Sequence, residues 1–118
     1  MKPLSAVEAR RLAEAVRYPF AESVTAYVTD AQIVACCCLG IVYRHLRADR
    51  YGRFQDGHRI RTSDIHCVVK EGPYWILHTV NKSRYVVVTF SRPGGRKSLD
   101  DFLNVLVGGF HITPKRLQ

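Results

Sequence analysis

Three β-rich runs follow one another in the second half of the chain: HRIRTSDIHCVVK from His58, PYWILHTV from Pro73 and RYVVVTF from Arg84. Each is dense in β-branched and aromatic residues, which suit the pleated, half-buried surface of a strand. Only Glu71-Gly72 and Asn81-Lys82-Ser83 separate them. Linkers this short join strands as antiparallel hairpins, because a parallel crossover needs a dozen or more residues. The chain is thereby committed to an antiparallel meander, and the remaining segments must cover it.

Two of those segments carry a helical pattern. SAVEARRLAEAV places Ser5 three residues before Glu8, a capping box, and Leu4, Val7, Leu12, Ala15 and Val16 form a narrow apolar stripe. Pro19 discourages continuation past Tyr18. SLDDFLNVLVGG offers Ser98 as N-cap, Asp100 and Asp101 in the first turn, and Gly108-Gly109 as the stop. The run IVACCCLGIVYRHLR (Ile33 to Arg47) is predicted to be one strand bent at Gly40. Residues 21–32 fit either a strand or a short helix. The expected fold is α+β in a single domain over 1–118. A four- to five-stranded antiparallel meander spans about 33–91, with helices at 5–17 and 98–107 on one face. Phe110 and Ile112 are expected to pack the tail.

If Glu71-Gly72 is a two-residue hairpin loop, Lys70 pairs with Pro73, Val68 with Trp75 and His66 with Leu77. Ile65, Cys67, Val69, Tyr74, Ile76, His78 and Val80 then share the better core face. Asp64, His66, Val68, Trp75, Leu77 and Thr79 share a mixed one. A Trp75–Leu77–Val87 surface would suit a homodimer if no helix covered it. In this register His66 and His78 stand on opposite faces and cannot act together as general acid and base. His45, His58 and His111 are scattered. No phosphate-binding glycine loop, H-x-x-x-H pair or nucleophile elbow occurs. The chain is expected to be non-enzymatic and to need no cofactor.

Cys36, Cys37, Cys38 and Cys67 do not fit the spacing of structural zinc ligands, and small buried hydrophobes in a reducing compartment account for them. The alternative is a metal held by Cys36, Cys38, Cys67 and a histidine. The longest apolar run, AQIVACCCLGIVY, falls short of the about 20 residues of a membrane helix. A soluble, cytoplasmic protein with no membrane partner is expected.

Charge narrows the partner. Lysine and arginine number 18 against 10 acids, a net charge of +8, which favours nucleic acid or an acidic protein surface. Arg44, Arg47, Arg50, Arg53, Arg59 and Arg61 concentrate between Tyr43 and Arg61, with Tyr43, Tyr51 and Phe54 among them as stacking surfaces. A second basic group, Lys82, Arg84, Arg92, Arg96 and Lys97, brackets the last strand. The candidate binding set is Arg44, Arg47, Arg50, Tyr51, Arg53, Arg59, Arg61, Lys82 and Arg84. Arginine's planar fork suits phosphate contact; the alternative is a solvated rim that protects strand ends.

DGHRIRTSDI followed by HTVNKSRYVVV resembles a pattern in small phage and prophage proteins, D-G-x-x-I-x-T-S-x-I leading to T-x-N-x-x-Y-x-V. It is matched by Asp56, Gly57, Ile60, Thr62, Ser63 and Ile65, then Thr79, Asn81, Tyr85 and Val87. The resemblance carries no active site. It implies a mobile element, whose small proteins often disable host machinery such as CRISPR complexes. The expectation is a basic binding protein that inhibits or modulates a host nucleic-acid-handling complex. Its rivals are a stand-alone DNA- or RNA-binding regulator and a small toxin-type ribonuclease acting through His66.

Overall fold

A computed structural model describes residues 3–107. Along the chain lie α1 (Ala6–Arg17), β1 (Ala26–Val34), β2 (Cys37–Tyr43), β3 (Arg59–Arg61), β4 (Ile65–Glu71), β5 (Tyr74–Thr79), β6 (Arg84–Val87) and α2 (Gly95–Val107). Gly108-Gly109, Phe110, His111 and Ile112 lie outside the described residues. α1 starts as its capping box dictates: Ser5 Oγ accepts the Glu8 N–H at 3.1 Å and Glu8 Oε1 accepts the Ser5 N–H at 3.0 Å. It ends before Pro19, with Tyr18 already extended.

The run expected to be a single strand is a hairpin. Val34 pairs with Cys37, so the chain turns at Ala35-Cys36, with Ala35 at a φ of 55°. The three cysteines therefore straddle a turn, leaving Cys36 exposed and Cys37 and Cys38 buried. The bend attributed to Gly40 belongs to its partner strand. The β1–β2 register slips between Thr29 and Gln32, where Asp30 takes a φ of 53°. That bulge drives β1 onto Gly40, where a Cβ would collide with Val28 Cγ1 and sit 2.9 Å from the Thr29 carbonyl. Residues 21–25 are irregular, and the strand begins at Ala26.

The sheet has six strands in the order β3-β2-β1-β6-β5-β4, and β1 runs parallel to β6, so it is mixed rather than purely antiparallel. It also curls on itself. Beyond β3, the Thr62 N–H reaches the Cys38 carbonyl at 2.9 Å and the Ile65 N–H reaches that of Cys36 at 2.7 Å. Ile65 then pairs with Thr79 on β5, while the Asp64 carbonyl takes the Val80 N–H at 2.9 Å. The nominal edges β3 and β4 are thus successive parts of one bent segment, which bonds first to β2 and then to β5. The sheet closes into a roll.

The β4–β5 loop is Gly72-Pro73, one residue later than expected, with Glu71 opposite Tyr74 and Val68 opposite Leu77. Gly72 at a φ of 58° supplies the left-handed position, and Pro73, which has no N–H for the ladder, is kept out of the pairing. The shift is two residues, so the faces survive it as far as Cys67. A bulge at His66 then moves Ile65 to the Leu77 face.

That face, expected to be the poorer one, lines the main core. Ala26, Val28, Cys38, Val42, Ile65, Leu77, Tyr85 and Val87 pack there with Leu99 and Phe102 of α2. The outer face gathers Ile76 and Val86 under Ala15 of α1, with Phe20, Val24, Tyr27 and Tyr74 around them. The helices therefore lie on opposite faces, not one. α2 also covers the Trp75–Leu77–Val87 surface that would have served a dimer. It begins at Gly95, so Asp100 and Asp101 lie a turn inside it, paired at i, i+4 with Arg96 and Lys97. Ser98 is no cap: its Oγ accepts the Ile33 N–H at 2.8 Å and fastens α2 to β1.

Candidate nucleic-acid interface

One end of the roll is formed by the starts of β1 and β6 and the end of β2. The connection from Arg44 to His58 lies across it. Asp56 Oδ1 accepts the Arg44 N–H at 2.7 Å, and the Thr25 carbonyl accepts the Leu46 N–H at 2.8 Å. Near its tip Asp49 organises a tight turn, accepting the Tyr51 N–H at 2.9 Å, the Arg53 N–H at 3.1 Å and Arg53 Nε at 3.0 Å. The Arg53 side chain, followed by its backbone N–H, holds the Asp49 carboxyl below the usual carboxylate range. Gly57 returns the chain to β2 through the Val42 carbonyl at 2.8 Å.

His45 fixes this connection from beneath. It is 4% exposed and stacks on Phe54 with ring centroids 4.2 Å apart. Its Nε2 lies 3.3 Å from the Tyr85 hydroxyl, and its Nδ1 accepts the Arg47 N–H at 3.0 Å. Burial, then the Arg47 charge, lowers its pKa.

The expected binding residues divide accordingly. Arg44 is exposed, with its charge felt at Tyr27. Arg47 Nη2 donates to Ser83 Oγ at 3.1 Å and draws the β5–β6 turn, which Lys82 closes, against the connection. Arg50 Nη2 donates to the Tyr51 hydroxyl at 3.0 Å, and the guanidinium lies 5.1 Å from that ring's centroid. Among the described residues, Arg44, Arg47, Arg50 and Lys82 make no ion pair, whereas Arg53 is paired with Asp49. Arg59 and Arg61 are exposed on β3 opposite Ile41 and Leu39. Arg59 thus flanks this end, while Arg61 lies further along the strand.

Arg84 is a correction. It is 9% exposed, and its Nη1 donates to the carbonyls of Glu22 at 2.8 Å and Ser23 at 2.9 Å. Carboxylate oxygens of Glu22 and Glu71 lie 3.7 Å from the guanidinium. It ties the α1–β1 connection to the sheet and presents nothing to a ligand. Two of the three aromatic candidates are also withdrawn: Tyr43 is buried at 8% exposure, and Phe54 is stacked on His45. Only Tyr51 is open, at 75%.

Two residues at this end went unremarked in the sequence. Leu46 and Val80 are strongly exposed large apolar side chains, on the connection and on the β5–β6 turn. Single apolar residues on a surface need no explanation. Here both of them and Tyr51 share this end with cations that make no ion pair among the described residues, the mixture expected of a binding face. Nothing in their local sequence marks them, because long-range contacts such as Arg47–Ser83 and His45–Tyr85 bring the two segments together.

Of the second basic group only Lys82 joins this surface. Arg92, Arg96 and Lys97 line an open cleft of about 990 Å³ with Arg11, between the first turns of the two helices. Arg96 also lies 5.4 Å from the Trp75 ring, which Lys70 approaches to 4.9 Å.

Chemistry-bearing side chains lie elsewhere. The bulge sets His66 and Cys67 together opposite His78, and the His66 charge acts on His78. The two histidines are therefore neighbours, not separated by the sheet. His78 is half-buried, its Nε2 has no hydrogen-bond partner among the described residues, and burial followed by Arg84 lowers its pKa. Cys36 at the hairpin tip, Cys38 in the core and Cys67 on the outer face are not brought together. Among the described residues no three His, Cys, Asp or Glu side chains could hold a metal ion. Burial pushes the Cys38 thiol up to about 12. No helix among the described residues is long and apolar enough to cross a membrane. Comparison with protein-family models, with curated proteins and with solved structures finds no match for this chain, and what the surface does follows from its own geometry.

Proposed function

We propose that the chain is a non-enzymatic basic binding domain that grips single-stranded nucleic acid with the loop end of its roll. The carrying observation is the group Arg44, Arg47, Arg50 and Lys82 at this end, which make no ion pair among the described residues, with the open ring of Tyr51 beside Arg50. Unpaired cations gain from phosphate contact without first giving up an ion pair, and an exposed tyrosine stacks on a base whatever its identity. A duplex offers no unstacked base to Tyr51. The resemblance to phage and prophage proteins extends this proposal to interference with a host nucleic-acid-handling complex. Four phosphate contacts on a single strand imply a roughly fifty-fold fall in affinity between about 50 and 200 mM salt. Fluorescence anisotropy with labelled single- and double-stranded oligonucleotides over that range tests this. Weak salt dependence, or equal affinity for duplex, would refute it. No binding at about 50 mM would instead point to an acidic protein surface as partner.

The His66–His78 neighbourhood supports a second reading, a small ribonuclease using these histidines as acid and base. Cleavage of a labelled RNA, abolished in both His66→Ala and His78→Ala, would establish it. Arg84 is held by two carbonyls and two carboxylates and would not contribute a free phosphate contact.

A further inference from the structure

The connection that carries the candidate interface rests on a titratable side chain. His45 Nδ1 accepts the Arg47 N–H, so that nitrogen carries no proton, and the imidazole hydrogen sits on Nε2, from which it is donated to the Tyr85 hydroxyl. Both ring nitrogens are thus committed in the neutral form only. A second proton could enter only at Nδ1. There it would replace an acceptor with a donor aimed at the Arg47 N–H, in a buried position and beside the Arg47 guanidinium.

We propose that His45 is a proton-operated latch: neutral, it holds the 44–58 connection against the end of the roll, and protonated, it releases that connection. The consequence for binding rests on the reading above, since Arg44, Arg47, Arg50 and Tyr51 would lose their fixed arrangement together. The surroundings favour such a device. Phe54 covers one face of the ring and offers no charge. From the connection the facing charge is Arg47, which opposes protonation. From β6 it is the Tyr85 phenol, held neutral by burial. Next to that phenol stands the Cys38 thiol of β2, which stays protonated to about 12. No carboxylate acts on the imidazole among the described residues. Among the described residues few bonds hold the connection to the roll besides the latch: Leu46 to Thr25, Arg47 to Ser83, and Gly57 and His58 to Val42.

The sign follows from the direction of the shift. The folded pKa lies below the value near 6.5 that His45 would have once released. The latch is at full strength above about pH 6.5, where both states are neutral, and it weakens as the pH falls below that value.

The test is nuclear magnetic resonance on the whole chain from pH 7.5 to 5. Imidazole nitrogen shifts of His45 should show the Nε2–H form at pH 7.5 and protonation below 6.5. Amide exchange at Arg47 and through 44–58, corrected for intrinsic rates, should accelerate by up to about tenfold per pH unit as His45 protonates. Ile76 and Val86 should stay protected. In His45→Phe, exchange of the connection should not change over this range. The latch is overturned if the connection's protection stays flat through the His45 titration, if it is lost together with the core amides, or if His45→Phe keeps the dependence. Should that variant fail to fold, the match between imidazole and amide midpoints in the wild type still decides. Oligonucleotide affinity measured on the same samples should weaken with the same midpoint. Release without binding at any pH would leave the latch standing and overturn the binding reading.

Discussion

At the residue scale, the same side-chain type serves two opposed purposes, and only its surroundings tell them apart. Arg84 and Lys82 are two positions apart, yet one is enclosed by carbonyls and carboxylates and the other is exposed in the β5–β6 turn. Arg84→Ala should therefore lower stability by about 2–3 kcal/mol, since it removes the charged hydrogen bonds of a buried guanidinium and unties the α1–β1 connection from the sheet. It should leave the salt dependence of binding unchanged. Denaturant unfolding and an oligonucleotide titration on the same variant separate the two effects. Gly40→Ala should cost about 1–3 kcal/mol, because the β1 bulge leaves no room for a methyl group, and a lowered unfolding midpoint would show it. The arginine cluster was legible in the sequence as a run from Arg44 to Arg61, although Arg44 and Arg47 were expected at the end of a strand and instead belong to the connection after β2, which stops at Tyr43. The retreat of Arg84 was not legible: its partners, Glu22, Ser23 and Glu71, reach it from two distant segments. Neither was the open character of Tyr51 against the burial of Tyr43, since both look like aromatic residues in a basic run.

Elements with strong local signals formed where expected. α1 has a complete capping box, and the β4–β5–β6 meander has glycine, proline and asparagine in its turns. The β1–β2 hairpin was hidden because Ala35-Cys36 has none of the usual turn residues, and an apolar stretch through a turn cannot be told from one long strand. The left-handed Ala35 makes this element improvable: Ala35→Gly should raise stability by about 0.5–1 kcal/mol, read as a higher midpoint in thermal unfolding. The parallel pairing of β1 with β6 and the division of the helices between two faces could not be read from periodicity. Both depend on closure of the roll through residues 62–65, a long-range event without a local pattern. The roll also explains which face is the core. Curling encloses the side that α2 covers, so Leu99→Ala should cost about 2–5 kcal/mol in denaturant unfolding.

At the scale of the whole molecule, titration and charge act on the same fold. His45 and His78 both have lowered pKa values, through burial first and a neighbouring arginine second. Each contributes stability that is complete above about pH 6.5 and is lost as the pH falls below it. Tyr27, Tyr43, Tyr74 and Tyr85 are raised by burial, so their contribution is complete below about pH 10 and is lost above it. Melting temperature against pH should thus show a plateau from about pH 7 to 9.5, with a decline on either side. Within that plateau the net charge of +8 attracts polyanions to the molecule at large, so attraction alone cannot identify a binding face. The slope of affinity against salt in a localised variant can. The deciding measurement compares the wild type with a variant carrying Arg44→Ala, Arg50→Ala and Lys82→Ala, with Arg53→Ala as the control in which Asp49 already pairs the cation. If the loop end is the interface, the slope of log affinity against log salt should fall by about 2 in the triple variant and by much less in Arg53→Ala. Equal slopes in all three proteins would contradict the assignment and place any binding elsewhere on the surface.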